Sequence, residues 1–350
     1  MSDSTLGIIG SGQLGSMLCQ AAKNLNIRTI VISDDEQGPA KKYADQFIFS
    51  KYDDQQKIKQ FTDKADIVTF EFENIPIDIL KQIEKEKKVL PKPEINKIIQ
   101  NRKLEKSFVN ELGIATTKWA FIEKAEDVTK NSNLLPGILK TNTLGYDGHG
   151  QFILKSLADV KRDWCFTDDY ILEKKVNLKI EISVIITRYI GGETFIYEPI
   201  ENLHKDQILK HSKIPANIDE KIYKQAQNNA KLIADKLDYV GSMCVEYFID
   251  QDNNLLVNEI APRVHNSGHL TINAFNISQF ENHIRAVCGL KFEKPIKNSN
   301  AEMINILGKE IEEYRSKNFK EGEFFFDYGK KTIKEKRKMG HLTILKKITI

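Results

Sequence analysis

Short apolar runs and helically spaced segments take turns along the first hundred residues. Residues 6–9 form an apolar run that predicts a strand. Gly10 to Gly15 follow as a glycine-rich turn, and an amphipathic helix spans about 16–24. Residues 27–32 and 65–70 predict further strands, one running out at Asp34 and Asp35, the other at Glu71 and Glu73. Strands alternating with helices predict a parallel, doubly wound unit, punctuated at its end by Pro91 and Pro93.

The rhythm then changes. A helix from Asn101 carries Arg102, Lys103, Glu105 and Lys106, and residues 135–155 predict two strands flanking a glycine-rich loop. Strand pattern dominates 170–200, a periodic helix covers 219–238, and 241–260 predict two antiparallel strands turning at 250–254. A helix over 278–288 stops at Gly289, a short one covers 309–316, and strands near 322–328 and 340–348 close the chain. No repeat and no long linker interrupts it, so two or three domains packed on one another are expected from 350 residues.

Composition narrows the class. The apolar fraction of 41% and charged fraction of 29% are those of an ordinary soluble enzyme. Lys plus Arg number 52 against 49 acids, a balance that leaves no dedicated nucleic-acid or membrane surface. The first five residues lack a signal-peptide pattern, and no apolar run is long enough to span a bilayer. Cys19, Cys165, Cys244 and Cys288 are scattered with no C-x-x-C pair, as expected of reduced cysteines in a cytoplasmic protein.

The densest chemistry lies in residues 258–269. Asn258 and Glu259 follow the apolar run 255–257, and Arg263, His265, Asn266, Ser267 and His269 come within eleven residues of that carboxylate. Glu246 sits thirteen residues earlier, in the other strand of the same hairpin. Two carboxylates on neighbouring strands, both in apolar segments, suit magnesium with nucleotide phosphates. Lys140, at a strand end just before the loop 145–151, suits phosphate: an ammonium plus backbone N–H groups. Glu173 to Val176 form an exposed strand segment able to read an adenine edge, and Glu181 is placed to accept from a ribose. Against this stands Gly10-x-Gly12-x-x-Gly15 with Asp34 and Asp35, the pattern of a dinucleotide site, or equally of a tight turn or another phosphate site. The basic stretch 330–338 reads as a solvated face or a monoester-phosphate site.

Taken in order, these pieces resemble the ATP-grasp superfamily, and within it the 5-(carboxyamino)imidazole ribonucleotide synthase family. The resemblance covers essentially the whole chain. Its most specific parts are GYDGHGQ at 145–151 and NEIAPRVHNSGH at 258–269. GIIGSGQLGSM at the start, TFEFENIP at 69–76, NRKLEK at 101–106, EPIENLHKDQIL at 198–209 and RKMGH at 337–341 support it. It implies an α/β (α+β) chain: a pre-ATP-grasp doubly wound domain over 1–100, an ATP-grasp domain over 101–296 with a lid at about 113–176, and a small β-rich domain over 297–350. It implies a homodimer and ATP-dependent carboxylation of 5-aminoimidazole ribonucleotide with bicarbonate.

The resemblance also distributes roles. ATP contacts fall to Arg102, Lys140, the loop Gly145, Tyr146, Asp147, Gly148, His149, Gly150 and Gln151, the segment Glu173, Lys174, Lys175 and Val176, then Glu181, His204, Asn258 and Glu259. Magnesium falls to Glu246 and Glu259. The imidazole nucleotide falls to Gln13, Leu14, Glu73 and Tyr146. Bicarbonate and substrate fall to Arg263, His265, Asn266 and Ser267, and the substrate's phosphate to Lys330 and Arg337. Lys140, Arg263 and His265 are the catalytic candidates, Arg263 as an anion fork and His265 as a proton carrier. The chain departs from the family at Lys334, where arginine is usual, at Gln207, where glycine is common, and at His149, where a basic residue is common. Rival readings are another ATP-grasp ligase, such as a formate-using glycinamide ribonucleotide transformylase, an NAD-dependent dehydrogenase, or a non-catalytic nucleotide-binding protein.

Overall fold

The computed structural model describes residues 4–145, 150–160 and 169–348. Five parallel strands, β1 (Thr5–Ile9), β2 (Arg28–Ser33), β3 (Gln46–Phe49), β4 (Ile67–Phe70) and β5 (Lys88–Val89), form the first sheet in the order β3-β2-β1-β4-β5. Parallel strands need crossover connections, and the amphipathic helices between them supply these. The helix after β1 starts at Gln13, three residues before the expected Ser16. The carboxylate of Glu71, just past β4, explains this early start: it accepts from the Gly12 and Gly15 N–H groups that a helix start leaves without partners.

A small antiparallel sheet follows, built from β6 (Trp119–Ile122), β7 (Gly137–Thr141), β8 (Gln151–Leu154) and β9 (Tyr170–Lys174) in the order β6-β9-β7-β8. The large sheet takes β10 (Leu178–Arg188), β11 (Thr194–Ile196), β12 (Ile200–Lys205), β13 (Ile208–Ile214), β14 (Gly241–Asp250), β15 (Leu255–Ala261), β16 (Asn300–Leu307), β17 (Glu323–Asp327) and β18 (Lys338–Lys346). Its order is β15-β14-β10-β12-β13-β16-β18-β17, with β11 beside β10. Because β16 pairs with β13, one sheet runs unbroken from the nucleotide-facing strands into the last fifty residues.

One apolar core lies under β10, β14 and β15, against the helix Glu220–Lys236. A second joins the helix Gln13–Asn24 to the helix Gln279–Val287, so Leu14 packs beside Val264, Phe280 and Ile284. Among the described residues, Cys19 and Cys244 are buried and free and Cys288 is half-buried and free. No helix among them is long and apolar enough to cross a membrane.

Buried histidines set an expectation for acid stability. Burial pushes His283 down to about 4 and His341 to about 3, and drives His269 well below its ordinary 6.5. An unfolded chain takes up protons at these rings below about 6.5 while the folded one stays neutral, so acidification favours unfolding. Burial raises the Glu105 and Glu246 carboxyls to about 7, which acts in the opposite direction between about 4.5 and 7. Burial lowers His265 too, and Glu73 and Glu173 are held low by cationic partners that outweigh burial. Against these stand Glu71, raised by burial, and His204, raised by its bond to Glu181. The lowered groups are the more numerous, so the melting temperature is expected to fall from pH 6.5 to 4. A flat profile by calorimetry would contradict this.

Candidate functional site

The hairpin β14–β15 places Glu246 directly opposite Glu259. Side chains opposite one another on antiparallel strands share a face, so two carboxylates converge at one point. Burial and then the Glu259 charge raise Glu246 to about 7. Beside them Asn258 Oδ1 is buried without a hydrogen-bond partner. Two carboxylates and an amide oxygen are hard donors, the set that magnesium prefers, so these residues fit the ion that the resemblance implies.

A cavity of about 410 Å³ opens between the small and large sheets. Lys140, Glu181, His204, Glu246, Asn258 and Glu259 supply its polar wall, and Ile138, Ile153, Leu178 and Phe248 its apolar wall. The segment Glu173, Lys174, Lys175 and Val176 and the side chains of Arg102 and Gln151 also line it. Glu181 pairs with His204; burial alone would lower that ring, but the bond to Glu181 raises it.

Glu173 behaves differently from a surface ligand. It is 2% exposed, with Oε2 2.8 Å from Lys140 Nζ and Oε1 3.0 Å from Lys106 Nζ. Burial would raise its carboxyl, yet Lys106 and Lys140 outweigh burial and hold it at about 2. Lys140 is thereby oriented by an internal carboxylate. Lys106 also donates to the Asn258 carbonyl at 3.2 Å, fixing the backbone next to Glu259. The sequence reading placed Lys106 on a helix without a role. Its only signal was the i, i+4 spacing from Arg102, which puts both on one helix face.

A second cavity of about 100 Å³ lies on the other side of Arg102 and Glu259, whose side chains line both. They pair at 3.3 Å. Glu73, Arg263, His265, Gly145 and Glu105 line this smaller space. The Arg263 fork faces Glu73: Nε pairs with one oxygen and one terminal nitrogen lies 3.0 Å from the other, while the second donates to the Val264 carbonyl. Burial opposes charge on Arg263, but Glu73 outweighs it and raises the guanidinium further.

Other expected residues take internal partners. Ser267 is fully buried and bonds Ser183 and His265. Asn266 exchanges amide hydrogen bonds with Asn305, and Leu14 is core. None of these three lines either cavity. Gln13 begins its helix just past the C-terminal end of β1, the central strand of the first sheet. Lys330 donates to the Lys338 carbonyl at 2.8 Å, and Arg337 to the Thr332 carbonyl at 3.1 Å. The unusual 331–336 segment closes as a turn through Arg337 N–H to the Lys334 carbonyl. Gly150 has φ +72°, a left-handed conformation that glycine adopts freely. Tyr146, Asp147, Gly148 and His149, like Cys165, lie outside the described residues.

The glycine fingerprint has an internal ligand. Glu71, 7% exposed, occupies the N–H groups that would receive a pyrophosphate, and a Cβ on Gly12 would lie 2.7 Å from its oxygen. The glycines make room for a carboxylate of the protein itself, which overturns the dinucleotide reading. NADH is expected to give no saturable fluorescence change on titration; micromolar saturation would reinstate it.

Family models match in succession: the ribonucleotide synthetase preATP-grasp domain over residues 3–100, the ATP-grasp domain over 107–280, and the phosphoribosylaminoimidazole carboxylase C-terminal domain over 301–348. Fold and site together define an ATP-dependent ligase of the ATP-grasp class. The N5-carboxyaminoimidazole ribonucleotide synthase of Brucella melitensis biotype 1 is 40% identical over 353 residues, covering 99% of this chain and 98% of the relative. The chain belongs to the N5-carboxyaminoimidazole ribonucleotide synthase family. Among solved structures, the Staphylococcus aureus N5-carboxyaminoimidazole synthetase complexed with ADP gives a TM-score of 0.92 at 34% identity, covering 98% of this chain and 93% of that one. The Aspergillus clavatus synthase with ADP and 5-aminoimidazole ribonucleotide gives 0.91 at 28% identity, covering 99% and 95%.

Proposed function

We propose that the protein joins bicarbonate to the exocyclic amine of 5-aminoimidazole ribonucleotide at the expense of ATP, forming the 5-(carboxyamino) product, ADP and phosphate in purine biosynthesis. The observation that carries this reading is the pair of cavities meeting at Arg102 and Glu259. ATP occupies the larger, with adenine at residues 173–176, ribose near Glu181 and His204, and its terminal phosphate toward Lys140 and Arg102. Bicarbonate and the imidazole nucleotide occupy the smaller, against Glu73, Arg263 and His265. Lys330 and Arg337 face the substrate's phosphate, and the charges of Arg263 and then Lys330 already reach Glu71 at that corner.

A bicarbonate oxygen attacks the γ-phosphorus, the bond to the bridging oxygen breaks and ADP leaves. The amine then attacks the carbon of carboxyphosphate, or of carbon dioxide released from it; phosphate departs and the amine loses a proton. Lys140, held by Glu173, and Arg102, held by Glu259, present fixed positive charge where the phosphoryl group carries its negative charge. Arg263, held by Glu73, stands at the smaller cavity as the group that would take bicarbonate. Glu246 and Glu259, with Asn258, would hold magnesium, which when bound neutralises phosphate charge.

Phosphate release tests the reading. It is expected to require both bicarbonate and the aminoimidazole nucleotide, and to fall to background when formate replaces bicarbonate. Release driven by formate and glycinamide ribonucleotide would favour the rival ligase. The family resemblance supports a homodimer, which sedimentation equilibrium tests. Free Cys19, Cys244 and Cys288 accord with work in the reducing cytoplasm.

A further inference from the structure

The hairpin between β12 and β13 turns on two residues, Asp206 and Gln207. Both hold left-handed backbone, with φ +52° and +66°. A two-residue turn of that kind needs positive φ at both central positions, which glycine, asparagine and aspartate supply. Asp206 obeys the rule. Gln207 breaks it: its Cβ crowds the following carbonyl oxygen, and its amide lies too far out for the local bonds that a short polar side chain makes in return. Glycine would close the same turn without that crowding. A side chain held in such a conformation points to a use for it.

The tip of this hairpin divides its side chains between two spaces. Lys205, Asp206 and Ile208 line a cavity of about 530 Å³, against Gly308 and Lys336. Gln207, with His204, lines the larger of the two site cavities instead. It is exposed and makes no side-chain hydrogen bond to another described residue, so both halves of its carboxamide are open to a ligand.

Strand register decides which end of a nucleotide it meets. Glu246 lies opposite Ser183 of β10 and opposite Glu259 of β15, so the two acids mark the phosphate end. β12 runs antiparallel to β10, with Asn202 opposite Glu181. Advancing from Asn202 to the turn therefore retraces β10 from Glu181 toward Leu178, away from Ser183. Leu178 and Val176 line the same cavity. The tip thus stands at the nucleoside end, where the backbone of 173–176 is placed to read the adenine edge and where Glu181 pairs with His204. The ribose is what remains for a carboxamide, which can donate to one hydroxyl and accept from the other.

We propose that Gln207 is a specificity-determining residue which hydrogen-bonds the ribose hydroxyls of the bound nucleotide. The proposal rests on the functional reading above, which places ATP in this cavity. A ligand contact accounts for a long polar side chain at a backbone position that suits glycine.

Titration calorimetry with ADP and with 2′,3′-dideoxyADP, both with magnesium, tests it. The wild type is expected to bind ADP the more tightly. Gln207→Gly and Gln207→Ala are each expected to weaken ADP about fivefold, as when one neutral hydrogen bond is lost, and to leave dideoxyADP within about twofold. Gln207→Gly should also melt at or above the wild-type temperature, because glycine takes φ +66° freely. A more stable protein with a weaker grip on ADP is the result that a side chain serving only to close the turn would not give. ADP affinity within about twofold of wild type in both variants overturns the proposal. So does an equal loss for both nucleotides, which would mean a loosened hairpin or a contact to the base. In either case ADP still binds, and the functional reading stands. A wild type that binds no ADP overturns the functional reading, and the proposal with it.

Discussion

Glu259→Gln is expected to lower phosphate release by about a thousandfold at saturating ATP and magnesium, while the protein melts within a few degrees of the wild type. The effect is large because this carboxylate serves two groups at once. It faces Glu246 across the hairpin and pairs with Arg102 at 3.3 Å, on the wall shared by both cavities. Glutamine keeps the shape and removes the charge, so a cation held there would lose one of its two carboxylate ligands and Arg102 loses its anchor. Losing a single preorganised electrostatic contact commonly costs about 10²–10³ in turnover. The fold should tolerate the change, because the side chain is 43% exposed and its charge holds no buried partner apart from Arg102. Ordinary turnover in this variant would sink the metal assignment.

Glu173→Gln is expected to reduce unfolding free energy by about 3–5 kcal/mol, the usual cost of stripping one partner from a buried ion pair. Here the loss leaves two ammonium groups, Lys106 at 1% and Lys140 at 5% exposure, facing each other without a counter-charge. Urea denaturation measures it. Two further results distinguish an electrostatic cause from a packing one. Adding Lys106→Met should recover part of the loss, since one stranded charge is removed. Saturating ATP should also recover part of it, since phosphate oxygens can stand in for the carboxylate beside Lys140. A loss below about 1 kcal/mol would show that the three charges are solvated more fully than their burial implies.

The elements that carry the site were readable along the chain. That Glu246 and Glu259 face each other was legible because a hairpin turning at 250–254 brings positions thirteen apart onto neighbouring strands, and the register pairs them. The position of Lys140 at a strand end was legible because β7 and β8 form an antiparallel pair on either side of the 145–151 segment. Lys106 and Glu71 were not found. Lys106 acts on Glu173 from 67 residues away, and Glu71 acts on Gly12 from 59 away, so neither leaves a local pattern. The dinucleotide fingerprint is ambiguous for the same reason: the motif describes a turn and is silent on what fills it. Ser267 and Asn266 sit in the most specific run of the sequence, yet their partners are Ser183 and Asn305, on strands distant in the chain.

Taken alone, the order of residues determined the alternation of strand and helix, the antiparallel hairpins and the two acids that meet across one of them. These follow from a side-chain period of two and from turn geometry, both local properties of the backbone. Which polar side chains open onto the clefts and which are spent inside the protein was decided only in three dimensions. A carboxylate or hydroxyl becomes a ligand or an internal brace according to the donor or charge that lies within about 3 Å of it, and that neighbour is set by how the sheets pack.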